Sequence, residues 1–368
     1  MKRNLLGPCV ALLCLSVLAT AAAAADTITY FKKGKKETAK GHITEETPRA
    51  IVYTVGQRTE KLPAADVLEV DYELRATHRK ELGTIFGKER KANDLADVNK
   101  RVAALDEVVA AFRSFLPNLD SERLAQRNLE FIIANVLIRQ ADDDPSRLGP
   151  AIDALKEFMK KHEKSWQIAT VGKQLARLQM DKGDVKGARA TYEELASMAA
   201  LAAEVRQECD LLVVKTLIRA GSLADAEKKL ADLAKASPKD DPQAVRVEIY
   251  QAACQANGNL AAAEKRLKAV LDSKADNAIK ALAFNTLGDC YRMNNRAADA
   301  FWQYLWVDVY YGNQDREEHA KALYYLSVLF EKVRKTPARA QACRDRLLND
   351  KLFAGLEYQK LAAKENQK

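Results

Sequence analysis

The strongest constraint on this chain is an internal repeat. Four segments each carry a turn followed five residues later by an alanine: Gly183-Asp184 to Ala188, Gly221-Ser222 to Ala226, Gly258-Asn259 to Ala263, and Asn295-Arg296 to Ala300. These alanines are 38, 37 and 37 residues apart, and four residues after each stands a larger apolar side chain, Tyr192, Leu230, Leu267 or Tyr304. An amphipathic helical pattern precedes every turn. Self-similarity at such a period means stacked helix pairs, each covering its apolar face with the next. Composition agrees. The 368 residues are alanine-rich and contain only 15 glycines and 9 prolines, so the body is expected to be mostly α.

The last copy is the most explicit. Phe284, Leu287, Gly288 and Tyr291 follow an aromatic-x-x-Leu-Gly-x-x-Tyr spacing on a first helix, and Ala300 and Tyr304 follow an Ala-x-x-x-aromatic spacing on a second. In an earlier copy Pro238 closes the unit after Ala226. The chain therefore resembles the tetratricopeptide repeat family over roughly residues 100–345, with a period about three residues longer than the family's 34. Ala154 and Phe158 fit a degenerate early copy. Helices at about 98–116, 121–140 and 319–332 complete or cap the stack. The resemblance implies an α-solenoid of stacked helix pairs, with the small residue allowing close helix approach and the aromatic filling the gap.

The same resemblance implies a concave face built from first helices, which receives an extended peptide or a partner helix. Its inward polar candidates are Lys173 and Arg177, Lys215 and Arg219, and then Asn285, Asp289 and Arg292. Cations on successive helices suit an acidic segment or a C-terminal carboxylate. The full Lys/Asn set of the carboxylate-clamp members is missing, and a merely solvated groove fits equally. A second aromatic group, Phe301, Trp302, Tyr304, Trp306, Tyr310 and Tyr311, reads as core packed on Tyr324 and Tyr325. Trp302 and Trp306 share one helix face, so a binding stripe is the other reading.

Residues 26–74 differ. Short β-prone runs at about 27–31, 40–44, 50–55, 59–62 and 67–72 are separated by turns, which predicts a small antiparallel barrel or curled sheet. It is similar to SH3-like or Sm-like barrels in strand count alone. Lys32, Lys33, Lys35, Lys36 and Arg58 mark its turns, either as a polyanion or cell-envelope contact or as solvated edges that deter aggregation.

Ahead of this module, Met1-Lys2-Arg3, an apolar run over about 10–19 and Ala23-Ala24-Ala25 have the layout of a secretory signal, with cleavage expected after Ala25. The expected location is periplasmic or secreted, with no transmembrane anchor. Domains are then 1–25 as leader, 26–74 as β module, 75–97 as linker or first helix, 98–350 as helical repeats and 351–368 as tail. The formal charge of +8 is interleaved rather than striped, so nucleic acid is not an expected partner.

Chemistry-bearing residues are sparse. His42, His78, His162 and His319 have no partner at metal-ligand or triad spacing, and His162 reads as a solvated helix end. Asp142-Asp143-Asp144 reads as an acidic loop tip rather than a cation site. Cys209, Cys254, Cys290 and Cys343 fall within helical patterns and are expected buried and free. No catalytic group, cofactor or metal is expected. The chain reads as a non-enzymatic interaction scaffold for a protein or peptide partner, an acidic one being the expectation for its cations, with a polyanion or envelope binder as the alternative.

Overall fold

The structure, a computed structural model, describes residues 25–32, 35–236 and 242–366; the leader segment 1–24, Lys33 and Pro238 lie outside the described residues. Five strands come first: β1 Asp26–Lys32, β2 Lys35–Glu46, β3 Ala50–Val55, β4 Arg58–Pro63 and β5 Val67–Asp71. All pair antiparallel in the order β4-β3-β2-β1-β5. The sheet is open, not the barrel expected as one option. The reason lies in β4, whose residues Arg58 to Lys61 are exposed on both faces and offer no apolar side to line an interior. β2 is longer than expected because its first half pairs with β1 and its second half with β3, past a bulge between Ile43 and Glu45.

Fifteen α-helices follow among the described residues. The first two are α1 Ala76–Asn93 and α2 Val98–Phe115. Six antiparallel pairs follow: α3 Arg123–Asp143 with α4 Leu148–Lys161, α5 Ile168–Asp181 with α6 Val185–Ser197, α7 Ala203–Arg219 with α8 Leu223–Ala236, α9 Pro242–Gln255 with α10 Leu260–Asp272, α11 Asn277–Met293 with α12 Ala297–Trp306, and α13 Arg316–Lys332 with α14 Pro337–Asn349. A π-helical turn, Val307–Tyr311, extends α12, and α15 Glu357–Asn366 ends the described chain. This is the tetratricopeptide-like solenoid that the repeat predicted.

Each predicted turn joins the two helices of a pair. Gly183, Gly221 and Asn295 take positive φ there, which glycine and asparagine tolerate. Ala188, Ala226, Ala263 and Ala300 are fully buried, and so are Leu230, Leu267 and Tyr304 four residues on. The early copy needs a correction. Ala154 is only half-buried, while Ala151, Leu155 and Phe158 are buried, so the register starts three residues earlier than read. Ala151 lies 37 residues before Ala188, which extends the period by one unit.

The small residue on the first helix has the predicted steric role. A Cβ at Gly288 would lie 2.9 Å from the Tyr304 ring, and one at Gly172 would lie 2.7 Å from Leu195. Tyr304 is fully buried and cannot retreat. We predict that Gly288→Ala destabilises this pair by about 1–2 kcal/mol, overpacking outweighing the helix propensity gained. Faster hydrogen exchange in α11 and α12 would check it, and a more protected variant would contradict it.

The sheet docks on the helices through a buried polar cluster. The Tyr72 hydroxyl donates to Glu46 and accepts from Trp166 Nε1 at 3.2 Å and from Arg127 at 3.0 Å. Arg127 also pairs with Glu46, and Asn128 donates to the Val70 carbonyl at 3.1 Å. Burial beside Glu46 pushes the Tyr72 hydroxyl far above the usual tyrosine range. Ile28, Ile51 and Val70 continue the same core beneath it.

Candidate functional site

Side chains of α13 and α15 meet those of α3, α5 and α7. Lys215 of α7 lies 3.9 Å from Glu317 of α13, and Arg219 pairs with Glu357 of α15 at 2.6 Å. Arg177 of α5 donates to Asp142 at 2.9 Å and to the Gly355 carbonyl at 3.2 Å. Lys360 of α15 bonds Asp142 at 2.8 Å and Asp181 at 2.7 Å. A Cβ at Gly355 would come within 2.9 Å of the Asp142 carboxylate, so the last segment approaches α3 as closely as glycine permits.

The seven predicted concave residues therefore all carry partners within the chain. Lys173 bonds Glu208 at 3.2 Å. Asn285 is fully buried and donates to the Glu318 carbonyl at 2.8 Å and to its carboxylate at 2.6 Å, bracing α11 against α13 rather than facing solvent. Asp289 accepts from Tyr304 at 2.7 Å and pairs with Lys321, while the Arg292 guanidinium lies 4.6 Å from the centre of the Tyr325 ring. The structure brings together two subsets. One joins Asn285, Asp289 and Arg292 with α13; the other gathers Arg177, Lys215 and Arg219 around α13 and α15.

Sequence reading missed the opposing half: Glu317, Glu318, Lys321, Glu357 and Lys360. The first two were lost by starting that helix at about His319, although Asp315 caps it by accepting from Glu317 N and Glu318 N. The segment 351–368 read as a tail, yet it contains α15, anchored by Phe353, Leu356 and Ala362. Burial opposes the Lys321 ammonium, but Asp289, Tyr358 and Glu318 more than offset it and hold its pKa well above the ordinary lysine value. The site is thus a set of charge pairs that joins α13 and α15 to α3, α5 and α7.

Other expected features are placed differently from the reading. Asp142, Asp143 and Asp144 are not a free loop tip. The first two finish α3 and bond Arg177 and Arg101, and Asp144 caps the next turn through Ser146. His162 is partly buried, 2.6 Å from Glu130 and packed on Phe158; His319 is buried against Asp308, 2.9 Å away. Asp308 loses some ease of ionisation to burial, but His319 and Arg346 hold its carboxyl below the usual range. The four cysteines among the described residues are buried and unbonded, and desolvation pushes their thiols up to about 11 for Cys254 and Cys343 and about 12 for Cys209 and Cys290. Within the sheet, Lys35 and Lys36 begin β2 and Arg58 begins β4 at the other hairpin. From the register, about five residues of β2, roughly 17 Å, separate them, so they form no single basic patch.

The aromatic run divides. Phe301 and Tyr304 are core, as read, but Trp302, Trp306 and Tyr310 are exposed by 48%, 44% and 62%. Among the described residues no helix is long and apolar enough to cross a membrane.

No family model matches the chain, and no curated protein matches it. Among solved structures, it is similar to a tetratricopeptide repeat protein from Parabacteroides merdae, with 15% identity over 77% of this chain and 99% of that one, at a TM-score of 0.46. It is also similar to BtubC from P. vanneervenii, with 16% identity, 75% and 94% coverage and a TM-score of 0.31. The Cut9–Hcn1 hetero-tetramer of the APC/C is a third likeness, with 13% identity, 74% and 58% coverage and a TM-score of 0.34. The repeat fold itself rests on the helix pairs described above.

Proposed function

We propose that this protein is a non-catalytic interaction scaffold whose concave side accepts a short helix of mixed charge from a partner protein. The observation that carries this reading is α15. A ten-residue helix of the chain itself is seated there, with Glu357 on Arg219 and Lys360 on Asp142 and Asp181. A surface that holds one such helix in cis has the charge pattern to hold another in trans. The partner helix would supply an acidic residue toward Arg177 and Arg219 and a cation toward Asp142 and Asp181. The leader-like sequence ahead of Asp26 supports an exported scaffold, periplasmic or secreted, and β1 starts at Asp26 itself.

The test uses the full chain with α15 broken by Ala362→Pro, because proline inside a helix costs about 3 kcal/mol. A labelled peptide of residues 353–366 should bind this variant and not the parent chain. Adding Arg219→Glu and Asp181→Lys should weaken the peptide roughly tenfold, as expected for two or three partly exposed ion pairs. No binding to the proline variant, or binding indifferent to those reversals, would sink the proposal.

A further inference from the structure

The fifth helix pair carries an exposed feature that the α15 contacts do not use. Trp302, Trp306 and Tyr310 follow one another at intervals of four residues, so they form one ladder along α12 and the π-helical turn after it. Trp306 is stacked between neighbours, 5.9 Å from Phe284 and 4.6 Å from Tyr310, both near parallel. The π-turn buries Val307 and leaves Val309 60% exposed beside Tyr310. A π-helical turn interrupts the regular bonding and recurs at functional sites. Here it holds an aliphatic and an aromatic side chain out in water.

Charge accompanies the ladder. The turn between α13 and α14 reads Lys332-Val333-Arg334-Lys335-Thr336-Pro337-Ala338-Arg339, four cations without an acid. Arg334 lies 5.5 Å from the centre of the Trp302 ring, which joins the basic turn to the aromatic row. Lys332, Arg334, Lys335 and Arg339 are exposed, and among the described residues no carboxylate lies within ion-pairing distance of them. Lys335 is held at φ 54, so the turn is fixed rather than extended. The acids nearest the ladder are already engaged: Asp299 pairs with Arg296, and Asp308 with His319 and Arg346.

We propose that this ladder and the basic turn dock the protein on an anionic lipid surface. Tryptophan and tyrosine favour the boundary between headgroups and hydrocarbon, where one end of the ring is apolar and the other wet. Flanking lysine and arginine add attraction to anionic headgroups. Single-stranded nucleic acid also pairs cations with aromatics, but it needs free ring faces on which bases stack. Trp306 has given its faces to Phe284 and Tyr310, and Val309 contributes only hydrocarbon. That favours lipid.

The experiment sediments the full chain with vesicles of equal parts phosphatidylglycerol and phosphatidylcholine, and with phosphatidylcholine alone. Trp166 is buried, so a blue shift of tryptophan emission on binding reports Trp302 and Trp306. We expect pelleting and the shift with the anionic vesicles only. Trp302→Ser with Trp306→Ser should reduce pelleting at least tenfold. Reversing Lys332, Arg334 and Lys335 to glutamate should reduce it about a hundredfold, at about fivefold per cation. These side chains are exposed, and the charge-reversed set keeps the emission readout if the tryptophan pair proves unstable. Absence of pelleting with anionic vesicles overturns the proposal. So does pelleting that survives the reversals, or binding to a single-stranded oligonucleotide that the same variants abolish while vesicles stay unbound.

Discussion

Replacing Tyr304 by alanine is expected to cost about 3–5 kcal/mol, the range for removing a large side chain from a packed core. Tyr304 has no solvent exposure, lies over Gly288, stacks on Tyr325 at 5.0 Å and donates to Asp289 at 2.7 Å. Its loss opens a void between α11, α12 and α13 that glycine cannot help fill. It also removes the hydroxyl that, with Lys321, anchors Asp289. Because a solenoid is stabilised mainly between neighbours, the damage should stay local. Hydrogen exchange should accelerate from α9 to α15 while α2 to α4 keep their protection. Tyr304→Phe should cost only about 1 kcal/mol, the worth of a single hydrogen bond. Uniform loss of protection along the chain, or a mild effect of alanine, would show that the repeats are not the cooperative units.

The second large effect is expected at Arg127. Its guanidinium and the Glu46 carboxylate are buried together, joined to the Tyr72 hydroxyl and through it to Trp166. Removing one member of a buried ion pair leaves the other charge without compensation, at about 3–5 kcal/mol. Arg127→Ala should therefore release the sheet from α3, and limited proteolysis should cut near Leu74 while the helical body stays intact. The double variant Glu46→Leu with Arg127→Met should recover much of the loss, since two apolar groups leave no charge stranded. A double variant no better than the single one would mean that the docking depends on the pair's attraction rather than on avoiding an orphan charge.

Much of the fold was legible because it is written locally. Ala226 and Leu230, or Ala300 and Tyr304, sit one helical turn apart and are buried for that reason alone. The misread register at Ala154 shows the limit of the same signal. Ala151 and Ala154 both suit a helix, and only packing reveals that Ala151 is the fully buried one. The aromatic run misled in a related way. Six aromatics in eleven residues look like core, yet α12 has one buried side, and the π-turn rotates Tyr310 away from it.

The seven residues expected on a concave face all have partners within the chain, and those partners were not legible. A lysine or an aspartate in a sequence does not specify its partner. Lys360 finds Asp142 across 218 residues, and Arg177 finds the Gly355 carbonyl across 178. Such pairings depend on how far each helix pair rotates on the last, a small angle summed over six pairs. By itself, the sequence determined the unit: two helices, a tight turn, a small residue facing a large one. Only the tertiary structure decided that α15 reaches back to α3 and α5, where Lys360 pairs with Asp142 and Asp181.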